Sequence, residues 1–165
     1  ELGNYAAVID ELAAYYESEL PSRYAQMHDM YESACLARAQ ELTALGKPLD
    51  ALPILKRIED NKTAKKRMEA YVYQLIGRWK DTRGTEYVFR EDGSCCIAGK
   101  EGYFGGSGYE ITVGSEPYPT TGAYSVVSVR GSTVTLRGLQ SGKTIRLSYL
   151  GEATAKEETA DNPEN

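Results

Sequence analysis

Residues 85–98 read Thr85-Glu86-Tyr87-Val88-Phe89-Arg90-Glu91-Asp92-Gly93-Ser94-Cys95-Cys96-Ile97-Ala98. Two short runs of β-branched, aromatic and thiol residues flank a turn signal, which is the pattern of a β-hairpin. A two-residue Asp-Gly turn sets Cys96 opposite Phe89. A three-residue loop with Gly93 left-handed sets Cys95 opposite Phe89 and Ile97 opposite Tyr87. The second register is preferred because it gathers Tyr87, Phe89, Cys95 and Ile97 on one apolar face.

The same grammar continues downstream. Ala123–Val129 and Thr133–Leu136 flank a turn at Arg130-Gly131, and Gln140-Ser141-Gly142 marks the next turn. The last strand alternates cleanly, with Ile145, Leu147 and Tyr149 on one face and Thr144, Arg146 and Ser148 on the other. Between Gly99 and Thr121 the glycines and prolines predict only short strands, near Tyr103-Phe104 and from Tyr109 to Val113. About seven short strands at this spacing predict a small antiparallel sandwich or barrel over residues 77–150.

Upstream the composition changes. Of the 16 glycines only Gly3 and Gly46 precede residue 77, and glycine is costly inside helices. Four helices are predicted: about Asn4–Leu20, Ser22–Leu45, Leu49–Ile58 and Thr63–Leu75. Tyr5, Val8, Ile9, Leu12, Tyr15 and Tyr16 follow the spacing of one helix face. Pro21 ends that helix and Ser22 is the expected N-cap of the next. That helix carries the stripe Tyr24, Met27, Tyr31, Ala34, Cys35, Leu42 and Leu45. Gly46 stands where a left-handed C-terminal cap is needed, with Pro48 just beyond.

The 165 residues are 41% apolar and 26% charged, with net charge −5. An acidic chain of this kind argues against nucleic acid as a partner, and no apolar run is long enough for a membrane span. The charge is uneven: net −3 over residues 1–76, +2 over 77–150 and −4 over 151–165. Residues 151–165 have no large apolar side chain and are expected to form a disordered acidic tail. The chain opens on Glu1, and an upstream signal or lipid anchor is expected.

Catalytic chemistry finds little to work with. One histidine, His28, lies beside a helical stripe without a nucleophile motif. The adjacent Cys95 and Cys96 point to opposite faces of a strand and lack zinc-ligand spacing. They and Cys35 are read as structural free thiols, with a disulfide from Cys35 to either left open. Glu59-Asp60 and Glu91-Asp92 sit at turns. Gly105-Gly106-Ser107-Gly108 precedes a strand, so it is not a phosphate loop. Lys62, Lys65, Lys66 and Arg67 read as a solvated face. No enzyme activity, metal or cofactor is expected.

Tyrosine usage is the exception, at 13 residues against two phenylalanines and one tryptophan. Tyrosine buries its ring while keeping its hydroxyl wet, which suits seams and binding surfaces. If a ligand site exists, Tyr103, Phe104, Tyr109 and Tyr118 lie near the glycine-rich loops, and Tyr87, Phe89 and Tyr124 would line a barrel interior.

Two resemblances follow. Gly77-x-Trp79 entering the first strand, with Tyr87-x-Phe89, Asp92-Gly93-Ser94, Tyr124 and Val134-x-Leu136, resembles the lipocalin-like domains of bacterial secreted proteins and lipoproteins. It implies a barrel over residues 75–150 in which Trp79 plugs one end beneath a basic side chain, here Arg146. The strands are short, so a shallow or side-chain-filled barrel is expected. In the helical half, Leu2-Gly3-Asn4-Tyr5 aligns with Leu45-Gly46-Lys47-Pro48 at an offset of 43 residues. The stretch from Leu45 to Ala64 resembles tetratricopeptide-type (TPR-like) helical hairpins.

The fold expected is therefore α+β. TPR-like helical hairpins over residues 1–74 lead into a lipocalin-like barrel or sandwich over 75–150. The resemblances imply a non-enzymatic, extracytoplasmic binding or scaffold module of a bacterial envelope or secreted protein. Its partner is expected to be another protein, or alternatively a small apolar ligand carried in the barrel.

Overall fold

The computed structural model describes residues 4–16 and 25–154. Pro21, Ser22, Tyr24 and the acidic tail from residue 155 lie outside the described residues. Five helices come first: α1 (Tyr5–Tyr16), α2 (Ala25–Ala44), α3 (Pro48–Lys56), α4 (Lys62–Met68) and α5 (Tyr71–Gln74). Eight strands follow: β1 (Gly77–Asp81), β2 (Glu86–Phe89), β3 (Ser94–Ile97), β4 (Lys100–Ser107), β5 (Glu110–Gly114), β6 (Gly122–Arg130), β7 (Thr133–Gly138) and β8 (Thr144–Gly151). Each strand pairs antiparallel with its sequence neighbour, and β8 returns to β1. The result is a closed barrel with no free edge, consistent with the lipocalin-like expectation.

The hairpin of residues 85–98 adopts the preferred register. Tyr87 faces Ile97 and Phe89 faces Cys95, and Gly93 is left-handed at φ +86°. The stretch from Gly99 to Thr121 is a correction. The short strand expected near Tyr103-Phe104 is the eight-residue β4, while β5 falls where the strand from Tyr109 to Val113 was expected. Glycine here permits close backbone approach: a Cβ on Gly102 would lie 2.7 Å from the Gly114 carbonyl oxygen. The fourth predicted helix is also two pieces. Ala70 is extended (φ −58°, ψ 142°), and the chain re-enters helix as α5.

At the end of α2 local chemistry behaves as read. Gly46 ends α2 at φ +74°, and Pro48 opens α3. Asn61 caps α4, its side-chain oxygen accepting from the Thr63 and Ala64 amides, while its amide donates to Glu32.

Two apolar clusters hold the molecule. The helical cluster includes Ile9, Tyr31, Cys35, Leu42, Leu55 and Ile58. In the same layer the Tyr16 ring stacks on Tyr31, and its hydroxyl donates to Glu32 at 3.3 Å. Burial and the nearby Glu32 carboxylate push that phenol up to about 12. The barrel cluster takes in Leu49, Val72 and Leu75 from α3 and the α5 region, beside inward strand residues. The helices thus supply part of the barrel core. Cys35 and Cys95 lie in different clusters, and all three cysteines are free thiols.

Asp81, only 7% exposed, organises the β1–β2 turn. Its carboxylate accepts from the Arg83 and Thr85 amides at 2.8 and 2.9 Å, and the Arg83 guanidinium lies at 3.5 Å. Burial alone would raise its pKa. The amide bonds and Arg83 outweigh that and hold it below the ordinary 3.8. A depressed folded pKa gives stability that is present above the unfolded value and is lost as pH falls through the folded one. Asp81→Asn is therefore expected to melt below wild type at neutral pH. The gap should close as pH drops below 3.8, which melting curves across an acid series would read directly.

Candidate functional site

The seven aromatic candidates separate into three places. Tyr87 and Phe89 point into the barrel at 4% and 0% exposure, and Tyr124 packs half-buried against the same cluster. Phe104 joins them, edge-on to Phe89 with ring centroids 5.0 Å apart. Ile111, Val134, Leu136 and Leu147 are fully buried alongside. An eight-stranded barrel has an interior just wide enough for side chains to fill, and these residues fill it. Burial raises the pKa values of Tyr87, Tyr124 and Cys95, the last to about 11. Cys95, 1% exposed, packs within this core.

Trp79 stands at the helical end of the barrel. It is 4% exposed, its indole N–H donates to the Leu75 carbonyl at 2.8 Å, and its ring meets Tyr149 edge-on at 5.2 Å. Gly77 makes this fit possible. Its φ is +142°, and a Cβ there would meet the Tyr149 ring at 2.6 Å. Arg146 does not cover Trp79, contrary to the expected basic lid. It is exposed opposite Thr135 and borders a groove with Asp81, Arg83 and Lys143. Strand alternation places it on the outer face, and Tyr149 occupies the position beside the indole.

Outside the barrel, two depressions gather the other aromatic candidates. The first, about 560 Å³, lies between the helices and the β4–β5 hairpin. Its floor includes Ala39, Leu55 and Val72, and its rim includes Lys66, Ala70 and Tyr109. Tyr109 is 65% exposed, and its ring is tilted against Tyr71 at 5.3 Å. Behind this groove the Tyr73 hydroxyl donates to the Pro48 carbonyl at 2.7 Å, and the Arg67 guanidinium donates to the Leu36 carbonyl at 2.7 Å. These bonds fix its wall.

The second depression, about 230 Å³, joins Tyr103, Phe104 and Tyr118 to Leu49, Asp50 and Asp92. Tyr118 adopts φ +57°, a conformation side chains seldom take. Its hydroxyl donates to Asp50 at 2.8 Å, which raises the phenol pKa, and Lys47 lies 4.8 Å over its ring. The sequence reading missed Tyr71, Tyr73 and Pro48. The signal available was Tyr71-Val72-Tyr73 immediately before the Gly77-x-Trp79 opening.

No family model, curated protein or solved structure matches this chain.

Proposed function

We propose that this chain is a non-enzymatic binding or scaffold module, extracytoplasmic in a bacterial envelope or secreted protein, which engages a protein partner through its outer surfaces. The observation that carries this reading is the distribution of space. The barrel interior is occupied by its own side chains, whereas the groove of about 560 Å³ between helices and hairpin is apolar-floored and rimmed by exposed tyrosine. Exposed aromatic rings beside an apolar floor are what interface anchors dock into. The successive packing of α1 on α2 and α2 on α3 supports a TPR-like recognition layer as one wall of the site. The lipocalin-like resemblance supports the extracytoplasmic placement. A peptide segment fits this groove through an apolar anchor over Val72 and Ala70, with an acidic neighbour near Lys66.

The test is a photo-crosslinking residue placed at Tyr109 or, as a control, at Ser148 on the opposite wall, in cells of the source bacterium. A discrete protein adduct from the Tyr109 position alone, lost when Tyr71→Glu charges the groove, is the expected result. Adducts of equal intensity from both positions, or none from Tyr109, would remove the groove from this role.

A further inference from the structure

The outer wall formed by β6, β7, β8 and β1 is basic on a chain whose net charge is −5. No Asp or Glu occurs between Glu116 and Glu152, while Arg130, Arg137, Lys143 and Arg146 fall in that interval. Strand register places these residues in rows. Arg130, Thr133, Ser148 and Lys80 form one row across four strands, ending beside Glu86 of β2; Ser128, Thr135 and Arg146 form the next; Ser125, Arg137 and Thr144 the third, ending beside Glu110 of β5. Arg137 and Arg146 are therefore diagonal neighbours on adjacent strands, an arrangement that costs stability through like-charge repulsion. Arg130, Arg137, Lys143, Arg146 and Lys80 are all exposed, and among the described residues none has an ion-pair partner.

The helices meet the barrel at β4 and at the Trp79 end, leaving the arginines of β6–β8 exposed. α3 and α5 pack against β4, and in a closed ring of eight strands β8 stands four strands from β4. Among the described residues of the barrel, Glu86, Glu91, Asp92, Glu101, Glu110 and Glu116 lie on β2–β5 and their loops, so the acidic strands stand across the ring from the basic β6–β8 wall. We propose that the β6–β8 wall, with Lys80 of β1, docks on an anionic lipid surface, its arginines reaching the headgroup phosphates.

Three features select that occupant. This charge asymmetry orients the molecule toward an extended charged plane and keeps the acidic strands β2–β5 away from it. The rows run over the outside of the barrel, with the groove of Asp81, Arg83, Lys143 and Arg146 at their edge. Val127, Leu139 and Leu150, each about half exposed on these strands or the β7–β8 turn, add small apolar contacts at headgroup depth. The rows carry hydroxyls and guanidiniums but no aromatic ring on which single-stranded nucleic acid could stack.

The experiment is co-sedimentation of the whole 165-residue chain with vesicles of phosphatidylcholine alone or mixed with phosphatidylglycerol, at low and high salt. Binding is expected only to the mixed vesicles and is expected to weaken with salt. Arg137→Glu/Arg146→Glu should weaken it about 25-fold or more, at roughly fivefold per lost cation. Arg137→Gln/Arg146→Gln should reproduce the direction of that loss if the charge reversal disturbs folding. Lys62→Glu/Lys65→Glu, which removes basic residues from α4, should leave binding unchanged. The proposal is overturned by mixed vesicles that bind no better than neutral ones, or by equal losses from the α4 pair. Soluble polyphosphate that binds the wall while vesicles do not would reassign the face to a polymer.

Discussion

Trp79→Ala is expected to lower unfolding stability by about 3–5 kcal/mol. The indole is buried in the barrel core, bonded to the Leu75 carbonyl and edge-on to Tyr149. Truncation removes that packing and leaves the carbonyl at the end of α5 without its donor. Trp79→Phe keeps most of the ring but not the N–H, and is expected to cost about 1–3 kcal/mol. Because the reporter tryptophan is removed, urea unfolding is followed by far-ultraviolet circular dichroism. Val72 and Leu75 belong to the barrel cluster, so helical and strand signals should be lost in one transition. A loss below about 1 kcal/mol, or helices that melt separately from an unaffected barrel, would contradict the role given to this joint.

Phe89→Ala is expected to cost a similar amount, about 3–5 kcal/mol. Phe89 is fully buried at the centre of the barrel, with Phe104 edge-on at 5.0 Å and Cys95 on the facing strand. Interiors are close-packed, so its neighbours close the gap only in part and a ring-sized void remains. Such a void, lined by apolar side chains, is a place an apolar molecule can enter. The variant should therefore gain a property that wild type lacks: stabilisation by small aromatic ligands.

The barrel was largely legible because its strands alternate. Phe89 with Cys95 and Tyr87 with Ile97 follow once Gly93 is read as the left-handed residue of a three-residue loop, and it has φ +86°. The β8 alternation places Leu147 inward and Arg146 outward. The resemblance had assigned Arg146 to Trp79, and strand geometry overrode it. Gly102, Gly105 and Gly106 were read as breaks, yet all three lie within β4. A sequence does not distinguish a glycine that ends a strand from one that lets two backbones approach.

The division between α4 and α5 has no local marker, since Glu69 and Ala70 are ordinary helix residues. Tertiary demand explains it: the chain bends there so that Val72 and Leu75 enter the barrel core. The groove was not legible at all. Its residues come from α2, α3, α4, α5 and the β4–β5 hairpin, and only closure of the barrel against the helices brings Tyr71 beside Tyr109. The aromatic count pointed to a tyrosine-rich surface without saying which rings would be exposed.

On the function proposed above, the barrel is a filled scaffold and its binding surfaces lie outside it. The most direct test is titration of wild type and Phe89→Ala, side by side, with an apolar fluorescent probe and a fatty-acid panel. Trp79 emission and melting temperature are the readouts. No saturable change is expected in wild type; in the variant, benzene added beside the panel is expected to bind saturably and stabilise, because only a molecule of ring size fits the void. Saturable binding to wild type that a fatty acid displaces, with a rise in melting temperature, would contradict the filled scaffold and make the barrel a carrier.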